Sequence, residues 1–239
     1  MGIQIDRLSM DESVERAIAL IREGGTHQHV VVNAAKVVSA QDNAELRAAI
    51  NACSMINADG QSVVWASRLL KDPLPERVAG IDFMNALVDA SSSANFSIFL
   101  LGAREEVVAK VSQSFLSRGA TIAGFHNGYW RKEMSDADLA KIIKSSGANV
   151  LFVAIPSPQK EIFLAENLDR LGVNLAVGVG GSFDVVAGIT KRAPVFLQKA
   201  GLEWLYRLAQ EPRRMFKRYL VGNIKFTVLV LRELIEKGR

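Results

Sequence analysis

The sequence predicts an α/β fold in which a Rossmann-like, doubly wound and mostly parallel sheet is followed by a helical C-terminal appendage. Short runs of apolar, often β-branched residues alternate along the chain with longer segments whose apolar residues recur at helical spacing. The short runs are apolar throughout, which is typical of strands covered by helices on both faces. This alternation of strands and helices favours a parallel sheet.

The first helix is predicted at 9–23, where apolar residues from Val14 to Ile21 fall on one face and Asp11 is a candidate N-cap. The run at 29–33 is too short for a helix and contains three consecutive valines, so it is the first strand. The same two patterns continue to residue 179. Further strands are expected at 55–58, 96–101, 121–125, 149–155 and 175–179. Further helices are expected at 41–51, 61–70, 81–91, 104–118, 135–145 and 158–170.

The chain has 239 residues, of which 49% are apolar, enough for one large or two small domains with a full core. Its single cysteine, Cys53, excludes an internal disulfide framework and a zinc site built on several thiolates. The neighbours of Cys53 are mostly small or apolar, so buried packing is favoured over a nucleophilic role. The first twelve residues carry four charged side chains, and we therefore expect no signal peptide.

The net charge of +4 is unevenly distributed along the chain. From Lys191 onward, twelve Lys and Arg residues stand against four Glu residues, a net charge of +8, whereas the first 190 residues sum to −4. We therefore expect a Rossmann-like domain at 1–192 and a basic amphipathic helical appendage at 193–239.

In the appendage, tryptophan, tyrosine and other apolar residues alternate with arginine and lysine, a composition typical of helices that lie at a membrane interface. The apolar run at 226–231 is too short to cross a bilayer. An ordinary helical subdomain that buries its apolar face is the alternative. Nucleic acid is not an expected partner, because the preceding domain is acidic and the sequence contains no helix-turn-helix or RNA-binding motif.

Polar and glycine residues follow each predicted strand at the point where the strand ends. Because ligands of doubly wound sheets bind beyond the carboxyl ends of the strands, this edge is the candidate site. The segments concerned are Asn33, 57–60, 102–104, 126–129, 156–161 and 180–184.

The glycine-rich segment 178–182 follows a strand and opens a helix, so its backbone N–H groups can approach a phosphate. Gly180, Gly181 and Ser182 are the candidate contacts. The segment matches neither the dinucleotide fingerprint nor a P-loop, and a tight turn that requires glycine is the alternative.

Four further side chains each allow two interpretations. Asp59 follows a strand, where a carboxylate can act as a general base or cap the helix at 61–70. Arg77 can clamp a phosphate or carboxylate, or form a surface ion pair. Asp136 has the Asp-x-Asp spacing of a metal-binding pair, but it begins a helix, so capping is favoured. His126 lies at the candidate edge, where packing or a supporting hydrogen bond is favoured over catalysis.

An ordered set of short motifs runs from residue 57 to residue 212. They are Asn-Ala-Asp-Gly at 57–60, Val-Trp-Ala-Ser at 64–67, Pro-Glu-Arg-Val-Ala-Gly-Ile-Asp at 75–82, Phe-Leu-Leu-Gly at 99–102, Gly-Val-Gly-Gly-Ser-Phe-Asp at 178–184, Lys-Arg-Ala-Pro at 191–194, Gly-Leu-Glu-Trp-Leu-Tyr-Arg-Leu at 201–208 and Glu-Pro at 211–212. Each motif is weak alone. Together, along nearly the whole chain, they resemble the WecG/TagA/CpsF family of bacterial glycosyltransferases, glycosyltransferase family 26.

The resemblance implies an inverting, metal-independent transferase that uses no cofactor. It would move a hexose-type sugar from a UDP-sugar to a polyprenyl-diphosphate-linked saccharide in bacterial surface-polysaccharide synthesis. The protein would lie peripherally at the cytoplasmic face of the inner membrane, and a homo-oligomer is compatible with this arrangement. The catalytic base would be Asp59. Substrate contacts would come from Asn33, Asn57, Arg77, Gly102, Lys160, Gly180, Gly181, Ser182 and Asp184. The acceptor diphosphate and the membrane would be met by Arg207, Arg214 and Arg218.

Two positions depart from the pattern of the family. Many relatives have Thr where this chain has Val31, which removes a hydroxyl contact, and Gln where it has Lys160, which introduces an ammonium group. The donor is therefore left open among glucose, glucuronic acid and other hexoses. A nucleotide-binding oxidoreductase on the same fold and a non-catalytic membrane scaffold are the alternative functions.

Overall fold

The computed structural model of the chain describes residues 1–210, 212 and 222–237. Within these ranges, six parallel strands form one sheet in the order β2-β1-β6-β5-β3-β4. The strands are β1 (His27–Val32), β2 (Met55–Ala58), β3 (Ser97–Gly102), β4 (Thr121–His126), β5 (Val150–Ala154) and β6 (Leu175–Gly178). Every predicted strand is present, and the parallel sheet confirms the Rossmann-like α/β class.

Helices connect the strands and continue beyond the last one. They are α1 (Met10–Glu23), α2 (Ala34–Asp42), α3 (Ala44–Asn51), α4 (Gln61–Leu69), α5 (Gly80–Ala94), α6 (Glu105–Ser117), α7 (Asp136–Ser145), α8 (Gln159–Leu171), α9 (Ser182–Val186), α10 (Val195–Lys199), α11 (Glu203–Gln210) and α12 (Gly222–Lys237). A turn of 3₁₀-helix at Trp130–Lys132 precedes α7.

Two details of the predicted helices are wrong. Ser9 caps α1 instead of Asp11, because the Ser9 hydroxyl accepts a hydrogen bond from the backbone of Glu12 while the Glu12 carboxylate accepts one from the backbone of Ser9. The helix predicted at 41–51 begins later, at Ala44, as α3, and the preceding helix α2 was not predicted. The side chain of Asn43 caps α3 and so starts a new helix where the apolar pattern alone continues.

Helices cover both faces of the sheet. On one face, α1, α5, α6 and α9 bury Phe83, Phe115 and Phe183 against strand residues. On the other face, α2, α3, α4, α7 and α8 form two apolar clusters. Since apolar surface contributes about 25 cal/mol per Å² when it is removed from water, strands buried on both faces gain most from being apolar throughout.

The C-terminal helix returns to the body of the protein. α12 packs against α2, and Phe226 and Val230 lie buried in the same cluster as Val37 and Leu46. Among the described helices, none is long and apolar enough to cross a membrane. The predicted domain boundary after residue 192 stays a prediction, but part of the appendage completes the core of the preceding domain.

Cys53 is a packing residue in this arrangement. Its side chain is partly buried, and its Sγ atom lies 3.3 Å from the carbonyl oxygen of Ala49. Burial raises the pKa of the Cys53 thiol to about 12. The thiol therefore stays protonated near pH 7, which fits a packing role and not a nucleophilic one.

The end of β3 gives a test of the sheet geometry. At Gly102, φ is +122°, and a Cβ atom would lie 2.6 Å from the backbone of Ala154 on β5. We expect Gly102→Ala to lower the free energy of unfolding by about 2 kcal/mol or more, because it combines backbone strain with overpacking. Urea unfolding measures this loss.

Gly181→Ala is the matched control, since φ there is −75° and no heavy atom lies within 4 Å of a Cβ. Its effect should stay within about 1 kcal/mol. Equal losses for the two variants would contradict the close approach of β3 to β5.

Candidate active site

The candidate site begins where β1 and β2 end. The two strands are neighbours and parallel, so Asn33 and Asp59, which directly follow them, lie at the same edge of the sheet. The backbone N–H of Asp59 donates to the carbonyl of Val32 at 2.8 Å. Gly60 packs so closely on Asn33 that a Cβ atom would lie 3.4 Å from the Asn33 Cβ. The structure therefore brings Asn33 and Asp59 together.

The side chain of Asp59 does not cap the helix that follows it. The N-cap of α4 is Gly60, and no side-chain hydrogen bond forms there, so the capping interpretation is wrong. The carboxylate of Asp59 instead lies beside the start of α5, where the backbone of Gly80 hydrogen-bonds to it.

Burial raises the pKa of Asp59 above the usual value for an aspartate. The positive charges of Arg77 and Arg207 act against this rise, as does the hydrogen bond from Gly80, while the negative charge of Glu203 adds to it. A carboxylate with a raised pKa is a stronger base, and general bases work best when their pKa approaches the working pH.

Glu203, in the first turn of α11, joins the appendage to the edge of the sheet. Its Oε2 atom lies 3.0 Å from Nη1 of Arg77, and its Oε1 atom lies 3.1 Å from Nη2 of Arg207. The side chains of Arg77 and Glu203 are only 17% and 12% exposed. Arg77 therefore does form an ion pair, but the pair is largely buried and not a surface contact.

A second ion pair fixes the segment that leads into the appendage. The guanidinium of Arg192 bonds both carboxylate oxygens of Asp82, at 2.5 and 2.7 Å. Bidentate pairs of this kind set orientation as well as attraction. The charge of Arg192 also acts on Asp59 and Glu203, so both ion pairs belong to one group of charges around Asp59.

Asn57 lies beneath the site and does not reach it. Its side chain is fully buried, where its Oδ1 atom lies 2.9 Å from Nε2 of His29 and its Nδ2 donates to the Ser13 hydroxyl at 3.0 Å. Burial lowers the pKa of His29 to about 4, so the imidazole is neutral near pH 7. Asn57 thus links β2 to β1 and α1.

A buried group of charges lies where β1 and β6 end. The Glu161 carboxylate, 1% exposed, lies 2.9 Å from the ammonium groups of both Lys36 and Lys160. Lys36 also donates to the carbonyl of Val31 at 2.6 Å. Burial raises the pKa of Glu161, but the two lysines outweigh it and bring the pKa to about 2. The triad ties α2 to the start of α8.

The turn after β6 lies against Lys160. A Cβ atom on Gly178 would lie 2.8 Å from Cε of Lys160, and one on Gly180 would lie 4.0 Å from its ammonium nitrogen. Gly180 has a φ of +54°, so the tight-turn interpretation applies to it. The hydroxyl of Ser182 donates to the carbonyl of Val179, within the same turn.

The remaining candidates in the turn after β6 are Gly181 and Asp184. Gly181 is exposed, with open space around its Cα atom. Asp184 lies in α9, and its backbone carbonyl accepts from Ile189 and Thr190.

Gly102 ends β3, and three strands separate β3 from β2. At a spacing of about 4.8 Å between strands, it lies about 19 Å from the Asp59 end of the edge. His126 lies farther still, at the end of β4, with Nδ1 2.9 Å from the carbonyl of Asn127.

Asp136 and Asp138 lie in the first turn of α7, as the helix dipole favours, but Asp136 does not cap this helix, so the capping interpretation is wrong. Asp136 binds Arg131 and Trp130, and Ser135 caps α7. In the part of the chain that the structure describes, no three His, Cys, Asp or Glu side chains come together as a metal site.

Several charged residues around this edge were not predicted as site residues: Lys36, Asp82, Arg192 and Glu203; Glu161 lies in the predicted edge segment 156–161 but was assigned no role. A lysine inside the apolar segment 34–40 was the available signal for Lys36, since burying an unpaired ammonium is costly. The ion-pair partners of the other four residues cannot be predicted from the spacing of residues along the chain. Arg214 and Arg218 lie outside the described residues.

The fold and the edge define the class. A parallel α/β sheet with a buried carboxylate at its carboxyl edge, on which the charges of two arginines act, suits an enzyme that acts on phosphorylated substrates. The chain matches the Glycosyl transferase WecG/TagA/CpsF family over residues 1–239 and belongs to this family, glycosyltransferase family 26. It is therefore a glycosyltransferase of cell-surface polysaccharide synthesis, with a nucleotide-sugar donor and a saccharide acceptor. Membership favours glycosyl transfer over the oxidoreductase and scaffold alternatives.

The Lys36–Glu161–Lys160 triad gives a stability prediction. We expect Glu161→Gln to lower the free energy of unfolding by about 3–5 kcal/mol, because both buried ammonium groups lose this carboxylate. Urea unfolding at neutral pH measures the loss. Glu166→Gln, an exposed position on the same helix, is the matched control and should change stability by less than about 0.5 kcal/mol.

The same triad predicts a pH dependence. Because the pKa of Glu161 falls from 4.5 to about 2 on folding, its ionised form stabilises the fold above pH 4.5, and this contribution is lost as the pH falls towards 2. The stability difference between the unmodified protein and Glu161→Gln should therefore shrink across this range. A difference that stays constant down to pH 2 would contradict the pairing.

Proposed function

We propose that this chain is an inverting, metal-independent hexosyltransferase that moves a sugar from a UDP-sugar to a polyprenyl-diphosphate-linked saccharide. The observation that carries the proposal is the buried carboxylate of Asp59, on which two positive charges act. These charges belong to Arg77, in the loop before α5, and Arg207, in α11. A base and fixed cations at one point are what displacement of a nucleoside diphosphate requires.

In this mechanism, Asp59 accepts the proton of the attacking acceptor hydroxyl. The hydroxyl oxygen forms a bond to the anomeric carbon from the face opposite the leaving group. The bond from the anomeric carbon to the phosphate oxygen breaks, and UDP leaves with the bonding electron pair. One displacement inverts the anomeric configuration. The reaction is accelerated because the two substrates are held in line beside a base.

The leaving group carries negative charge, which the chain's own cations and N–H groups would stabilise. Arg77 and the turn at 178–182 are the candidates for the UDP phosphates. Arg207, Arg214 and Arg218 are the candidates for the acceptor diphosphate. Asn33, beside Asp59, would contact a substrate hydroxyl, whereas buried Asn57 would position β2.

In this proposal, Val31 and Lys160 determine which donor sugar the protein binds. Lys160, Glu161 and Lys36 form one charged unit at the ends of β1 and β6. An ammonium group there favours hydroxyl-rich or acidic sugars over an N-acetyl group. The candidates are glucose, glucuronic acid and other hexoses.

We place the protein peripherally at the cytoplasmic face of the inner membrane. α12 buries Phe226 and Val230, yet its opposite face carries an exposed apolar stripe. The stripe consists of Ile224, Val228, Leu231 and Ile235, which are 42–62% exposed. Lys225 and Arg232 flank it, as suits contact with anionic lipid, where each basic residue contributes about 1 kcal/mol.

Asp59→Asn tests the proposed base. We expect it to lower the rate of UDP release by about 100-fold or more with whichever UDP-sugar the unmodified protein consumes, because the amide cannot accept the proton. UDP release in the presence of a lipid-linked acceptor measures the rate, and calorimetry measures UDP affinity, which should stay within about threefold. Near-normal turnover by the variant would contradict the assignment.

Leu231→Asp tests the membrane contact without disturbing the core, since Leu231 is exposed. We expect the variant to sediment with anionic phosphatidylglycerol vesicles at least about tenfold less than the unmodified protein. Leu116→Asp, the same change at an exposed leucine on α6, is the control and should bind normally. If Leu231→Asp binds vesicles normally but loses a homo-oligomer, the stripe joins two copies instead.

A further inference from the structure

The ion pairs of Glu203 cross from the appendage to the loop before α5. Glu203 begins α11 and lies 3.0 Å from Arg77, a residue 126 positions earlier in the chain. On its own helix it also pairs with Arg207, one turn later, at 3.1 Å. One carboxylate therefore holds two guanidinium groups that come from different parts of the molecule.

These guanidinium groups are the cations that act on Asp59. The charges that act on the Asp59 carboxylate come from Arg77 before α5, Arg192 before α10, and Glu203 and Arg207 on α11, and the backbone of Gly80 at the start of α5 hydrogen-bonds to it. Arg192 is held independently by Asp82. Arg77 and Arg207 both pair with Glu203, so the positions of these two guanidinium groups depend on it.

We infer that Glu203 is a positioning residue for the transfer reaction: it docks α11 on the core and holds Arg77 and Arg207 at fixed places beside Asp59. The inference rests on the proposed function of Asp59 as the base. Glu203 itself needs no contact with a substrate.

The physical reason is the balance of charges around Asp59. Two guanidinium groups close together repel each other, and a carboxylate between them removes that repulsion. Without Glu203, the positive charges of Arg77 and Arg207 act on Asp59 without the negative charge that opposes them. The pKa of Asp59 would fall, and the carboxylate would be a weaker base. Glu203 therefore keeps Asp59 basic while it keeps the cations near.

Position in the helix supports this role. Glu203 lies in the first turn of α11, where the helix dipole favours negative charge. The side chains of Glu203 and Arg77 are 12% and 17% exposed, so solvent screens their attraction only partly. The Arg77–Glu203 pair that docks α11 on the core is therefore stronger than an exposed ion pair would be.

The test compares Glu203→Gln, Glu203→Asp and a matched control. Glu203→Gln keeps the shape but removes the charge, and we expect kcat to fall about 10- to 100-fold. The acidic limb of the pH profile of kcat should move to lower pH, because the pKa of Asp59 falls when the like charge is lost. Glu203→Asp, which keeps the charge, should restore most of both. Glu106→Gln removes one partner of an exposed pair on α6 and should change neither.

Two measurements on the full chain do not depend on activity. Carbon NMR of the labelled carboxyl groups should show a lower pKa for Asp59 in Glu203→Gln. Hydrogen exchange at 203–210 should speed up about tenfold, while exchange in β1, β5 and β6 stays unchanged. Arg77→Gln removes the other end of the pair and should speed exchange at 203–210 equally. If Glu203→Gln does not fold, hydrogen exchange at 203–210 in Arg77→Gln shows whether this ion pair docks α11.

Normal kcat, an unmoved Asp59 titration and unchanged exchange at 203–210 in Glu203→Gln would overturn the inference, even if Asp59→Asn is inactive. If the unmodified protein transfers no sugar, the proposed function fails. In that case the NMR titration and the exchange rates still decide whether Glu203 docks α11 and sets Asp59.

Discussion

Pairing of charges between distant segments is the constraint on which the carboxyl edge of the sheet depends. Withdrawing an ion from water costs several kcal/mol unless an opposite charge and hydrogen bonds replace its hydration. At this edge, Glu161 lies between Lys36 and Lys160, and Glu203 lies between Arg77 and Arg207. Each pairing allows charged groups to lie close to the strand ends, where a phosphorylated substrate would meet them. The same pairings join segments that are far apart in the chain: α2 to α8 through Lys36 and Glu161, and the loop before α5 to α11 through Arg77 and Glu203.

This constraint makes the appendage part of the site. α11 supplies Glu203 and Arg207, while α12 completes the core against α2 through Phe226 and Val230. A cut after residue 192 would therefore remove charges from the surroundings of Asp59 and apolar surface from the core. The C-terminal helices therefore have roles apart from the proposed membrane contact, because α11 supplies charges that act on the proposed base and α12 completes the core.

The sequence predicted the sheet well because its signal is local. Most strands are short, largely apolar runs, and burial on both faces favours that pattern in β2, β5 and β6. Asp59, Arg77 and Arg207 were predicted as site residues through motifs that resemble a family; in the structure the charges of the two arginines act on the Asp59 carboxylate, while the roles of all three stay predictions. Helix α2 was not predicted, and the start of α3 at Ala44 depends on one side-chain cap at Asn43, which periodicity does not reveal. The ion pairs of Glu203 and Glu161 were not predicted, because their partners Arg77 and Lys36 lie more than a hundred residues away along the chain.

One measurement tests the central claim most directly, that the carboxyl edge around Asp59 transfers a sugar from a UDP-sugar to a lipid-linked saccharide. Purified protein is incubated with a lipid-linked acceptor and a panel of UDP-hexoses and UDP-hexuronic acids, and free UDP and glycosylated lipid are both measured. The proposed function predicts that one donor yields UDP and glycosylated lipid in equal amounts, with inverted anomeric configuration. UDP without product, product of retained configuration, or no UDP from any donor would contradict it.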